Sequence, residues 1–304
     1  MDCWIGGSVA DPRAIRRLLR NPTAWVSTTI LLVVFLACVA WPFFLPASLG
    51  EPSPNQYAPP SWGHPFGTDL NGRDQFFRVL TGGRISLLVG LCGAAVSLVI
   101  GTAWGLVAGY AGGRLDSWMM RVVDVLYSVP RLIFILIAIN AFNVQLQNFA
   151  SGMGWEWLVE SSRIAILIVT LGVIEWLTMA RIVRGQVLAL KSQQFISAAK
   201  VLGQSHAGIL LRHLLPNLSG VILIYLTLTI PAVIIDESFL SFLGLGIQSP
   251  QASWGSLLAD GAGAINPLKS FWWLLVFPAA CMSVSLLALN FLGDALRDAF
   301  DPRG

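Results

Sequence analysis

The chain has 304 residues, 55% of them hydrophobic and 12% charged, with a mean hydropathy of +0.70; a soluble domain carries about 25% charged residues. So much apolar surface cannot be hidden in a particle of this size, which argues against a water-soluble enzyme and makes lipid the solvent for much of it. A net charge of +3 is too small to point to nucleic acid. Cys3, Cys38, Cys92 and Cys281 form no C-x-x-C pair, and three of them fall in apolar runs, so neither a disulfide framework nor a zinc site is supported.

A hydrocarbon core about 30 Å thick needs roughly 20 apolar residues in helical form. About six stretches qualify: Ala24 to Leu45, Ser86 to Tyr110, Met119 to Phe142, Ile164 to Ala180, Leu218 to Ile235 and Phe271 to Leu292. Arg121, Asp124 and Arg131 interrupt the third, and Pro130 is expected to kink it. The first follows Arg13, Arg16, Arg17 and Arg20, but it is too long for the apolar region of a secretory signal and no A-x-A site follows; it reads as a retained anchor. With the N-terminus inside, Arg73, Arg78, Arg84, Arg163 and Lys269 fall outside, Arg131 lies within a span, and the other basic residues are cytoplasmic. That distribution predicts both termini in the cytoplasm. The expected organisation is a tail at 1–23, a first span at 24–45, an extracytoplasmic segment at 46–85, a core at 86–296 with an internal loop at 181–217, and a tail at 297–304.

In the outer segment, Asp69 with Gly72 reads as a turn, and Asp74 with Arg78 as an i,i+4 ion pair on a helix. Asn143 to Arg163 contains Trp155, Glu156, Trp157 and Glu160, and its tryptophans suit the headgroup level. The internal loop is helical in composition. Helix-compatible residues run from Ser197 to Leu202, Gly203 offers a left-handed cap, and Ser205 caps a second short helix carrying Ile209, Leu210 and Leu214, which Pro216 is expected to stop. The first short helix would leave Phe195, Val201 and Leu202 exposed, so a partner protein should cover it; small side chains at Ser197, Ala198 and Ala199 allow close approach. The alternative is an amphipathic helix lying at the headgroups.

Ala198-Ala199, Gly203 and His213-Leu214-Leu215-Pro216-Asn217 resemble the cytoplasmic-loop signature of ABC-importer permeases, usually written E-A-A followed by Gly. Ser197 stands where that family usually has Glu, which removes a charge able to pair with a basic group on a partner. The run from His64 to Gly90, with Gly67, Thr68, Asp69, Gly72, Arg73, Asp74, Arg78, Gly82, Arg84, Ser86 and Leu87, resembles the C-type permeases of oligopeptide, dipeptide and nickel importers. So do Glu237 to Gly246, Ser253-Trp254-Gly255, Asn290, Gly293 to Asp298 and Asp301-Pro302-Arg303. The resemblance implies an all-α integral membrane protein of the type I ABC-importer permease fold in a bacterial cytoplasmic (inner) membrane. It also implies a second, non-identical permease subunit, two ATPase subunits that carry ATP and Mg, and an extracytoplasmic substrate-binding protein. In that family the loop is a coupling helix seated in a cleft of the ATPase, which assigns coupling to Phe195, Ser197, Ala198, Ala199, Gly203, His206, Arg212, His213, Pro216 and Asn217. Peptides are the favoured solute.

Polar groups within spans default to functional candidates. Asp124 and Arg131 are i,i+7 and are expected to pair or snorkel; Glu175, Glu237 and Asn290 are candidates for the path or a gate, with a structural hydrogen bond the competing reading for the two glutamates. His206 and His213 have no metal-ligand spacing, and neither a P-loop nor a G-x-S-x-G elbow occurs, so no catalytic residue, metal or cofactor is expected in this chain. The rival reading is an ion-gradient-driven secondary transporter, which should show paired intramembrane carboxylates and an internal repeat with broken helices.

Overall fold

The computed structural model describes residues 12–44, 46–249, 251–265 and 269–300. Cys3, Asp301, Pro302 and Arg303 lie outside the described residues, as do the side chains of Arg13, Trp157 and Glu160. Among the described residues all regular structure is helical.

Helix α1 (Pro12–Arg20) precedes α2 (Pro22–Val39), whose start is set by Pro22 at the first helical position and by Asn21, which accepts a hydrogen bond from the Thr23 N–H. An irregular segment then leads to α3 (Gln75–Ala111), capped by Asp74, which accepts from the Phe77 N–H. At 37 residues α3 is about 55 Å long, well beyond the thickness of a bilayer core. The expected third span is not one helix. α4 (Gly113–Ser128) ends at Val129, whose extended backbone (ψ 127°) is what a following proline imposes, and α5 (Arg131–Gly152) begins after Pro130. Membrane-length apolar character belongs to α5 alone, so the span is corrected from Met119–Phe142 to Arg131–Gly152.

α6 (Glu156–Lys191) continues eleven residues past the expected end of the fourth span at Ala180. The short α7 (Gln194–Val201) and α8 (His206–Gly208) follow, then a π-helical turn, Ile209–Leu214, leading without a break into α9 (Leu215–Phe242). Pro216 does not stop the helix as expected; it lies just past the π turn, inside a helical run that continues from His206 to Phe242. α10 (Trp254–Ala264) opens on a capping box between Ser253 and Ser256, and α11 (Trp273–Phe300) closes the described chain. The six helices long and apolar enough to cross a membrane are α2, α3, α5, α6 from Ser161, the α8–α9 run and α11.

The most extensive pairing is α3 with α6. Its cause is Gly101, Gly105 and Gly109, spaced by four on one face of α3: a Cβ at each would stand 2.5–2.9 Å from Met179, Ala180, Arg184 or Val187 of α6. Only glycine permits that approach, the same packing that small residues allow between membrane helices. Buried Val89, Leu167, Leu171, Val233 and Leu240 fill the space among α3, α6 and α9. Trp25, Val33, Val99, Ile137, Leu287 and Phe291 point outward, which suits acyl chains as solvent.

Candidate functional site: an elbow at one end, a charged cluster along one face

The elbow is built on a second core cluster. Val183, Val187 and Leu190 of α6, Ile196 and Ala199 of α7, and Ile209, Leu214 and Leu218 beyond it pack together. α7 is thus pinned by one buried face. Its other face is open: Phe195, Ser197, Ala198 and Lys200 are exposed, and Val201 and Leu202 are 88% and 82% exposed. Gly203, at φ +76°, turns the chain immediately after; a Cβ there would meet nothing within 4 Å, so its requirement is purely conformational.

Ser205 accepts from the Gly208 N–H at 3.1 Å, as expected for the cap of the second short helix. His206 Nδ1 lies 2.8 Å from the Tyr110 hydroxyl, His213 Nε2 lies 3.2 Å from Gln204 Oε1, and Asn217 donates to the His213 carbonyl at 2.6 Å. Arg212 and Pro216 are exposed. Leu202, Gly203, Gln204, Ser205 and Arg212 border a surface hollow of about 520 Å³.

Tyr110 at the end of α3 is the hub that sequence reasoning missed. Its carbonyl accepts from Lys191 Nζ, and its ring lies 5.6 Å from that ammonium and 5.8 Å from Lys200. The signal was faint, a tyrosine closing a long apolar run; only the fold brings it to α6 and the elbow.

α4 braces α6 beside the elbow. Arg184 holds Asp116 through two nitrogens at 2.5 and 2.7 Å, and Arg181 donates to Asp124 at 2.7 Å while stacking over the Tyr127 ring at 4.1 Å. Asp124 therefore pairs with α6, and the expected Asp124–Arg131 contact is not made. The helix break at Val129–Pro130 separates the two residues and removes the shared helix face.

Arg131 instead opens α5 and reaches both Glu175 on α6 and Asp236 on α9, the latter at 3.3 Å. Arg131 and Glu175 line a cavity of about 320 Å³ between α4, α5, α6 and α9, and Asp236 is outside its lining. Glu237, one residue on, faces the opposite way. It is fully buried, accepting from Ser86 at 3.0 Å, Ser241 at 2.6 Å and Ser238 at 3.3 Å. Ser86 also accepts from the Trp254 N–H at 3.2 Å, so through Ser86 Glu237 ties α3, α9 and α10 together. Asn290 is exposed on α11 and makes no side-chain hydrogen bond to the described residues.

The end of the bundle away from the elbow is closed by residues 46–74. Asp69 accepts from the N–H groups of Asn71 and Arg73, both at 2.8 Å, which is the expected turn, and its other oxygen accepts from Arg78 at 2.8 Å. Asp74 pairs with His64 at 2.8 Å while capping α3. The expected Asp74–Arg78 pair is thus replaced: an N-cap carboxylate is turned toward the first-turn N–H groups and away from the i+4 side chain, and Arg78 bridges Asp69 and Asp260. Tyr57 stacks on Phe271 at 4.0 Å and Phe66 on Phe277 at 3.9 Å, locking the segment onto α11.

Six helices able to cross a membrane among the described residues, an elbow with bare apolar side chains and a cavity with an ion pair on its wall describe a multi-pass membrane protein that leaves an apolar surface uncovered. Residues 101–303 match the binding-protein-dependent transport system inner membrane component, and residues 13–60 match the N-terminal TM domain of oligopeptide transport permease C. The chain belongs to this family: it is a permease subunit of an ABC importer in the inner membrane. It is 42% identical over 293 residues to the oligopeptide transport system permease protein OppC of Haemophilus influenzae, covering 95% of this chain and 88% of the relative. It is 45% identical over 291 residues to the dipeptide transport system permease protein DppC of Bacillus subtilis, covering 95% and 85%. Against the oligopeptide transport system permease protein OppC of Escherichia coli K12 the figure is 42% over 301 residues, covering 95% and 90%.

Proposed function

We propose that this subunit forms half of a path for peptides and receives its driving force through the elbow. The observation that carries this reading is the two-faced α7: Ile196 and Ala199 are locked into the cluster with α6 and the π turn, while Phe195, Val201 and Leu202 are exposed and Leu202 borders the hollow. A helix so short has little stability of its own, so a protein seated on the bare face would pass its movement to α6 and α9 through the buried one. The partner is an ABC ATPase, two copies of which bind ATP and Mg and hydrolyse the nucleotide on the cytoplasmic side. Coupling then falls to Phe195, Ser197, Ala198, Ala199 and Gly203, with His206, Arg212, His213, Pro216 and Asn217 forming the stiff entry to α9. Ser197 gives that contact a hydroxyl where the family signature usually has a carboxylate.

In this reading both termini and the elbow lie in the cytoplasm, and residues 46–74 face a substrate-binding protein on the other side. A second permease, non-identical to this one, completes the path. Peptides are supported as the solute by the relatives, which are oligopeptide and dipeptide permeases. The test is expression of the full complex in a host lacking its own peptide importers. Uptake of labelled peptides that requires both the ATPase and the binding protein supports the reading. Uptake that persists without the ATPase and collapses with the proton gradient would return the secondary-transporter alternative.

A further inference from the structure

Two carboxylates and one guanidinium meet on the face between α5, α6 and α9, and their contacts do not close. Arg131 touches both acids through a single nitrogen, Nη2. Among the described residues, Glu175 Oε2 and Asp236 Oδ1 have no hydrogen bond, and Asp236 Oδ2 is buried with an ion-pair contact but no hydrogen bond. With all three groups ionised the cluster carries one net negative charge. Arg131 is 51% exposed and Asp236 23%. Charges this open cannot border hydrocarbon at tolerable cost, so the face borders water or polar groups within the assembled transporter.

The cavity beside them has a definite character. Apart from Arg131 and Glu175 its wall is made by side chains such as Leu126, Val129, Phe134, Val173 and Leu177, and at about 320 Å³ it lies within the range of small-ligand sites, roughly 300–1,000 Å³. The Tyr127 and Thr178 hydroxyls, also on its wall, satisfy each other at 2.8 Å. The cavity is therefore apolar with one ion pair on its wall, Arg131 with Glu175, and the second carboxylate, Asp236, reaches that pair through Arg131.

From this geometry we infer that Glu175 and Asp236 form a transient site for a primary ammonium group of the transported solute, with the group's hydrocarbon neighbour in the apolar cavity and Arg131 as the resident cation it displaces. Three N–H donors on an ammonium match the uncommitted carboxylate oxygens. Arg131 keeps the empty site electrically tolerable; a solute ammonium that takes its place frees α5 from α6 and α9. An amino terminus and a lysine side chain share this chemistry. The inference deepens the peptide reading and rests on it for the identity of the solute, while the ammonium site itself can be tested without it.

The complete transporter, purified in lipid nanodiscs, is titrated with butylammonium and with neutral butyramide while its thermal unfolding is followed. Butylammonium raises the melting temperature and butyramide does not; Asp236→Asn and Glu175→Gln each weaken the apparent affinity by about tenfold or more. No shift with butylammonium, an equal shift with butyramide, or an equal shift in both variants would overturn the site. Uptake is then compared for tripeptides differing only by Lys or norleucine at the centre, and for each with a free or acetylated amino terminus. A loss in Asp236→Asn confined to the ammonium-bearing member of a pair supports the site and identifies which ammonium it holds; parallel losses across all peptides would overturn its role in transport. A butylammonium site present in a complex that imports no peptide would leave the inference standing and remove the peptide reading, and normal peptide uptake with no butylammonium site would do the reverse.

Discussion

The two ends of the bundle are finished in opposite ways. At the end formed by residues 46–74, Asp69 and Asp74 are buried with partners for both oxygens, two aromatic stacks pin the segment to α11, and Trp273 donates to the Thr68 carbonyl at 3.3 Å. At the elbow, one face of α7 is as well packed as any core, and the other carries Val201 and Leu202 almost wholly in solvent. The first end is held together by contacts within this chain, though Trp62 and Leu70 stand exposed on it; the second leaves an apolar face uncovered. Substitutions should accordingly trade stability for function as they move from the bundle and its closed end to the elbow.

Gly105→Leu should have the largest effect on the chain itself. A Cβ there would sit 2.6 Å from the Ala180 carbonyl, so the α3–α6 contact must separate, at a cost of about 3 kcal/mol or more; the expected outcome is loss of folded protein from the membrane fraction. Asp74→Ala removes the cap of α3 and strands His64, and should cost about 2 kcal/mol, read as a lower unfolding temperature of the purified subunit.

Such effects could not all be foreseen from the chain's linear pattern. Spans other than the third were legible because apolar length is a local property, and so were the turn at Asp69–Gly72 and the left-handed Gly203. Partnerships were not. Arg131, Glu175 and Asp236 are far apart in the chain and meet only because α5, α6 and α9 pack side by side. Asp124 and Arg131 looked paired because one kinked but continuous helix was expected across Pro130, and the break at Val129 gave each a different partner. Asp74 and Arg78 misled for a related reason: at a helix start the backbone N–H groups compete for the carboxylate, and they win. Pro216 was read as a stop, although the helical run continues past it.

At the elbow the expected balance reverses. Gly203→Val places a β-branched residue at φ +76° in open space, which should cost about 1–2 kcal/mol locally while lowering ATP-driven uptake roughly 5- to 150-fold. Leu202→Ser, at 82% exposure, should change stability by less than about 0.5 kcal/mol and still weaken recovery of the ATPase with the tagged permease. A Leu202→Ser subunit that unfolds markedly earlier would mean that the elbow, too, is finished within this chain.

Everything in the transport account turns on what touches the bare face of α7. Leu202→Cys, placed in a cysteine-free background of the full complex and treated with a short bifunctional thiol reagent, should yield a cross-link to a cysteine introduced in the ATPase, with an efficiency that changes when ATP is added. A residue 202 that cross-links to lipid-anchored reagents alone, with or without ATP, would contradict the account and make the elbow a helix resting on the membrane surface.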